Sequence, residues 1–159
     1  MVVLDLPGID TRGWTFAGSS GQGVGAYYWV APDVLVAVPE LGAIQTEEIA
    51  QRSLDEFNRI ADSVGRRLAV IVLVDRVTSQ DSGSRRVWSR PQEKPRRCAL
   101  ALVCASPLSR AIGAFFIGLN RPPTPTRMFR DFERALEFCR EVVAKEGGVL
   151  TDGLVGEPR

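Results

Sequence analysis

The chain has 159 residues, 45% of them hydrophobic and 25% charged, with a net charge of +1 and no histidine. These values suit a single globular domain and give no overall pull toward nucleic acid or an anionic membrane. The absence of histidine excludes serine–histidine and cysteine–histidine nucleophiles and every histidine-bearing zinc or iron site.

No apolar run approaches the roughly 18 residues that a membrane span requires. The opening MVVLDLPGID has no basic patch followed by an apolar core, so no secretory signal is read and the cytoplasm is the expected compartment. Cys98, Cys104 and Cys139 follow no metal-ligand spacing and suit small core residues in a reducing environment. No catalytic set, metal site or cofactor motif is legible, and the expectation is a protein that is not an enzyme.

Residues 1–13 mix turn formers with apolar residues and read as a loosely ordered lead-in. Trp14–Ala17, Ala26–Val30 and Val34–Val38 are aromatic and β-branched runs bounded by Gly, Pro and Asp, the pattern of three antiparallel strands. The glycine-rich stretch 18–25 contains no lysine and leads into a strand, so it reads as a hairpin turn and not as a phosphate cradle. Thr46, followed by Glu47 and Glu48, caps a helix that keeps apolar spacing from Ile49 to Val64 and stops at Gly65.

Leu68–Val74 is an unbroken apolar run of strand length, the signature of a strand covered on both faces. Asp75 ends it. The polar segment 76–97 has room for one or two helical turns around Ser84–Ser89 before Pro91 and Pro95. Cys98–Cys104 is a second apolar strand, and Ser106-Pro107 starts a helix running to Asn120. Thr126–Phe129 is a further short strand, and Asp131 caps a last helix that ends at Gly147-Gly148.

Strands alternating with helices after an initial meander predict an α/β fold with a mixed sheet. An N-terminal antiparallel meander precedes parallel strands joined by right-handed crossover helices. The domain occupies residues 14–146, and 147–159 read as a mobile tail.

Three strands, a helix and then alternating strands and helices over residues 14–146 resemble the STAS family, the sulfate-transporter and anti-sigma-factor-antagonist domains. In that family a strand ending in Asp leads to a loop bearing Asp-Ser. Here Val72-Leu73-Val74-Asp75 is followed by Asp81-Ser82-Gly83, although Gln80 is polar where the family has a hydrophobic residue. The resemblance implies that Ser82 matches the serine phosphorylated by a partner kinase, with Asp81 beside it. Ser109–Asn120 and Pro125–Phe129 resemble a pattern in small bacterial relatives of the same family. From composition alone, Asp-Ser-Gly is also ordinary turn chemistry.

Two further surfaces stand out. Arg76, Arg85, Arg86, Arg90, Lys94, Arg96 and Arg97 outnumber Asp81 and Glu93 in one loop that also holds Trp88. A solvated loop is the plainer reading of that charge run, and nucleic acid is not an expected partner. The helix 107–120 is apolar nearly all round, which places it in the core or at an interface. Gly113 and Gly118 within it each cost about 1 kcal/mol relative to alanine, so close packing is expected to offset them.

Two functions of different classes follow. One is a regulatory signalling module that binds a protein partner, or a second copy of itself as a homodimer, through Asp75, Arg85, Arg86 and the helix face of Ile112, Phe115 and Phe116. The other is a carrier or sensor that holds a small apolar or lipid-like ligand under that same helix.

Overall fold

The computed structural model describes residues 4–92, 94–120 and 124–150, with the side chains of Leu119 and Asn120 excepted. Residues 1–3 of the expected lead-in, 151–159 of the expected tail and Glu93 of the basic loop lie outside that set.

The fold is α/β, as expected. Strands β1 (Thr15–Gly21), β2 (Gly25–Ala31) and β3 (Val34–Pro39) form the antiparallel meander. Short β4 (Ala43–Gln45) then leads into α1 (Glu47–Val64) and β5 (Arg66–Leu73). A 3-10 turn at Val74–Arg76, β6 (Val77–Gln80) and α2 (Ser82–Ser89) precede β7 (Arg97–Val103). The chain closes with α3 (Pro107–Asn120), β8 (Thr126–Phe129), α4 (Phe132–Glu146) and β9 (Gly148–Val149). The main sheet runs β1-β2-β3-β5-β7-β8, with β3, β5, β7 and β8 mutually parallel. The two apolar strands β5 and β7 are central neighbours, with Ile71 opposite Ala101.

Side chains alternate across these strands, so each face carries its own core. Ala69, Ala99 and Ala101 point with Val34, Val36 and Ile71 toward α4. Small residues at those positions let Ala135 and Cys139 of α4 pack directly on the sheet, and both are fully buried. The other face presents Leu35, Val70, Leu100 and Leu102 to Leu54, Phe57 and Ile60 of α1 and to Phe116 of α3.

The caps are those expected from sequence. Thr46 Oγ1 accepts from the Ile49 N–H at 3.3 Å, and Asp131 accepts from the Arg134 N–H at 2.9 Å. Gly65 closes α1 at φ 66°, in the left-handed region where a side chain would be strained.

Several expectations are corrected. β4 and β6 had no counterpart in the sequence reading. They pair only with each other, and runs of three and four residues carry no periodicity to detect. α2 is a full eight-residue helix starting at Ser82, because Asp81 caps it by accepting from the Ser84 N–H at 2.7 Å. Within the described part of the lead-in Leu6 is buried, and Trp14, expected to open the first strand, precedes β1 and packs against Tyr28 and Phe132. At the start of the expected tail Gly148 and Val149 pair with Arg67 and Arg66 of β5. β1 also continues to Gly21, leaving a tighter hairpin turn than the glycine content suggests.

Candidate functional site

At the carboxyl ends of β3, β5 and β7 the sheet floor is formed by Ala37, Val70, Val72 and Leu102. α1 covers one side of it and α3 the other, leaving a cavity of about 90 Å³ between them. Ile112, Gly113 and Phe116 supply the α3 wall, Ser53 of α1 and Tyr27 of β2 line it with them, and Trp88 of α2 contributes its ring. Open parallel sheets bind ligands at this end, where connections diverge and leave a crevice.

The helix alternates its faces with consequence here. Phe116 is 4% exposed and turned inward, whereas Phe115 is 52% exposed and Leu108 55%. The two phenylalanines the sequence set side by side therefore belong to different surfaces. Gly113 lets α3 pack tightly against the sheet: a Cβ there would lie 3.0 Å from Cys104 Sγ and Met128 Sδ. The close packing expected for both helix glycines holds at Gly113 only, because Gly118 faces open space.

Polar groups enter the cavity at three places. The Tyr27 hydroxyl meets the Ser53 carbonyl at 3.0 Å and the Ser53 hydroxyl at 2.8 Å. Burial pushes its ionisation far up, so it remains a neutral donor. Gln45 and Gln80 stand opposite each other in the β4–β6 pair, and neither side-chain amide bonds to another described residue. Apart from these groups and Ser20 the lining is apolar, and a mostly apolar wall with a few polar groups is the usual composition of a small-molecule site.

Asp75 is not part of this cavity. Its carboxylate accepts from the Ala105 and Ser106 N–H groups, both at 3.0 Å, and from the Ser109 hydroxyl. It therefore ties the end of β5 to the start of α3. Partial burial works against ionisation, but the Ser109, Ser106 and Ala105 hydrogen bonds outweigh it and hold the carboxyl below its usual range. A strand-terminal Asp reads as a site residue in sequence; here its oxygens are occupied by backbone and hydroxyl donors.

The remaining sequence candidates cluster on α2 and its neighbour α3. Ser82 is exposed on the first turn of α2, with the Arg86 guanidinium 3.4 Å from its hydroxyl. Arg85 donates to the Gln80 carbonyl at 3.0 Å and lies 4.7 Å from the Phe115 ring centroid. The basic loop does not form a continuous patch. Arg76 donates to the Pro39 carbonyl, Arg96 pairs with Asp62, and Arg97 is buried. Among the described residues no group of three or more acidic or cysteine side chains could hold a metal ion. Burial pushes the Cys98 thiol up to about 11 and those of Cys104 and Cys139 to about 12. All three are protonated at neutral pH, when attack would need a thiolate.

A family described as "Domain of unknown function (DUF7793)" matches residues 28–143, nearly three-quarters of the chain. The chain belongs to the DUF7793 family. No curated protein and no solved structure matches it. The DUF7793 match runs from β2 to α4 and takes in the whole parallel part of the sheet, α1, α2 and α3. Of the cavity, only the Ser20 and Val24–Tyr27 edge falls before it.

Proposed function

We propose that this DUF7793 domain is a non-catalytic binding protein that takes a small apolar molecule between α1 and α3. The observation that carries the reading is the cavity itself: apolar on floor and wall, with unbonded Gln45 and Gln80 amides on one margin. An apolar cavity of about 150 Å³ accepts benzene in an engineered protein. A volume of about 90 Å³ suits a short aliphatic branch, with the rest of the ligand leaving past the two glutamines. Native mass spectrometry of freshly purified protein checks for a retained ligand, and a hexanol titration read by thermal midpoint checks the class. A retained mass, or a midpoint that rises saturably with hexanol and no longer does so in Ile112→Trp, supports the reading. Neither response in the wild-type chain sinks it.

A second reading, a STAS-like regulatory module, is favoured by a different observation. Leu108, Ala111 and Phe115 are exposed on one stripe of α3, with Arg85 over the Phe115 ring. Phosphate on Ser82 would place about −1.5 to −2 charges on the first turn of α2 beside Arg86, stabilised by the helix end and the guanidinium. This surface would meet a protein partner or a second copy of the chain. Sedimentation of wild type and Phe115→Asp tests the homodimer form: concentration-dependent association lost in the variant supports it, and a wild-type monomer at every concentration removes it.

A further inference from the structure

At the other end of the sheet from the apolar cavity, a second cleft of about 440 Å³ opens between α1, the end of α2 and the first residues of β7. Leu54, Phe57, Val87 and Trp88 give it an apolar wall. Arg97, the first residue of β7, lines it and is only 8% exposed, yet among the described residues it has no carboxylate partner. One of its terminal N–H groups donates to the Trp88 carbonyl at 2.9 Å, closing the last turn of α2. Its guanidinium carbon lies 5.6 Å from the Trp88 ring centroid.

Its Nε is left without a hydrogen-bond partner. So are Arg67 Nε and Thr124 Oγ1, and both of those residues line the same cleft. Elsewhere among the described residues only Ser84 Oγ is a buried side-chain polar atom in that condition. Buried polar groups are almost always paired, because leaving one desolvated and unbonded costs free energy, and more so when it is charged. Burial alone draws Arg97 down to about 10, with only Tyr27 opposing the shift. The other charges here do not fill the gap. Arg96 is spent on Asp62 through hydrogen bonds of 2.8 and 3.1 Å. Among the described residues Glu146, exposed on α4, is the one acidic residue of the lining, and it pairs with neither arginine.

We propose that this cleft binds the oxyanion head of a small organic acid, a carboxylate or a phosphate monoester, among Arg97, Arg67 and Thr124, with its apolar body against Trp88 and Phe57. Guanidinium N–H groups and a hydroxyl offer the charge-assisted donors such a head requires. Trp88 is the one described residue that lines both this cleft and the apolar cavity; the anion donors Arg97, Arg67 and Thr124 line the cleft alone.

Isothermal titration of the full chain at low salt with phenyl phosphate, phenylacetate and inorganic phosphate tests it. One of the two organic anions should bind one-to-one, more tightly than inorganic phosphate. Arg97→Met and Arg67→Gln should each weaken it by about tenfold or more, the scale for truncating one partner of a buried charged contact. Preference for phenyl phosphate assigns a phosphate head, and preference for phenylacetate a carboxylate. In the absence of ligand Arg97→Met should keep or raise the thermal midpoint, since it removes an uncompensated buried charge. Should that variant fail to fold, Arg67→Gln and Thr124→Val carry the test through the same loss of binding. Ile112→Trp, which fills only the apolar cavity, should bind the anion unchanged, so failure here is distinct from failure of the apolar-ligand reading. No saturable binding of either organic anion to the wild type overturns the proposal. Binding that ignores both Arg67→Gln and Thr124→Val overturns it as well.

Discussion

Asp75 and Ser109 are 34 residues apart in sequence, and the hydroxyl of one donates to the carboxylate of the other. With the Ala105 and Ser106 N–H groups on the same carboxylate, this contact fixes α3 against the end of β5. It therefore sets the width of the gap between α3 and α1.

Asp75→Ala should lower stability by about 1–3 kcal/mol, because it removes an acceptor shared by three donors, two of them helix-start N–H groups. The urea midpoint checks this. An unchanged midpoint would mean that water replaces the carboxylate without cost.

The same carboxylate gives a sign to the pH dependence. Asp75 and Asp62 both ionise below their usual range in the folded chain. For Asp75 the Ser109, Ser106 and Ala105 hydrogen bonds overcome partial burial, and for Asp62 the Arg96 hydrogen bond leads. A depressed folded value means the stabilisation is fully present above the unfolded value, about 3.9, and is lost as pH falls through the folded one. Urea midpoints should fall below pH 4, and Asp75→Asn should make that acid limb shallower.

Gly113 and Gly118 should respond to alanine with opposite signs. Gly118→Ala adds a methyl in open space and should stabilise by up to about 1 kcal/mol through helix propensity. Gly113→Ala forces a Cβ to within 3.0 Å of two sulfur atoms. Overpacking costs about 1–3 kcal/mol, which exceeds the propensity gain. Thermal denaturation of the two variants decides it, and equal shifts would contradict the close approach of α3 to β7 and β8.

The neighbouring phenylalanines should separate in the same way. Phe116→Ala should cost about 3–5 kcal/mol as a core deletion. Phe115→Ala should cost no more than about 1 kcal/mol, the scale of an exposed cation–π contact with Arg85. Denaturant titration of both variants is the check, and comparable losses would place Phe115 in the core.

The three cysteines should resist alkylation in the folded chain. Their thiols are buried and pushed up to about 11 or 12, so iodoacetamide at neutral pH should label them only after denaturant is added.

The framework was legible where local chemistry and tertiary structure agree. The apolar runs of β5 and β7 have one solution, a strand covered on both faces, and Thr46, Gly65 and Asp131 act within a few residues of themselves. β4 and β6 were not legible because each is short and exists only through the other. The anchoring of Leu6 depends on a sheet face assembled from distant residues. The candidate site was legible in part. The greasy α3 pointed to a functional face, but only helix rotation separates Phe115 from Phe116. Asp75 stands out in sequence as the acid that ends the β5 run ahead of Asp81-Ser82, as in the STAS-like pattern; its donors, 30 to 34 residues downstream, are invisible to local reading. By sequence Arg97 belongs to a solvated basic loop. Its burial follows from its position as the first residue of the central strand β7, which the run beginning at Cys98 concealed by one residue.

The most direct test of the cavity between α1 and α3 is methyl-resolved NMR of the wild-type chain during a hexanol titration. The methyl signals of Ile112, Val72 and Leu102 should shift saturably, while those of Val34 and Ile71 on the α4 face of the sheet stay in place. Unmoved cavity methyls, or shifts confined to exposed Leu108, would contradict a ligand site beneath α3.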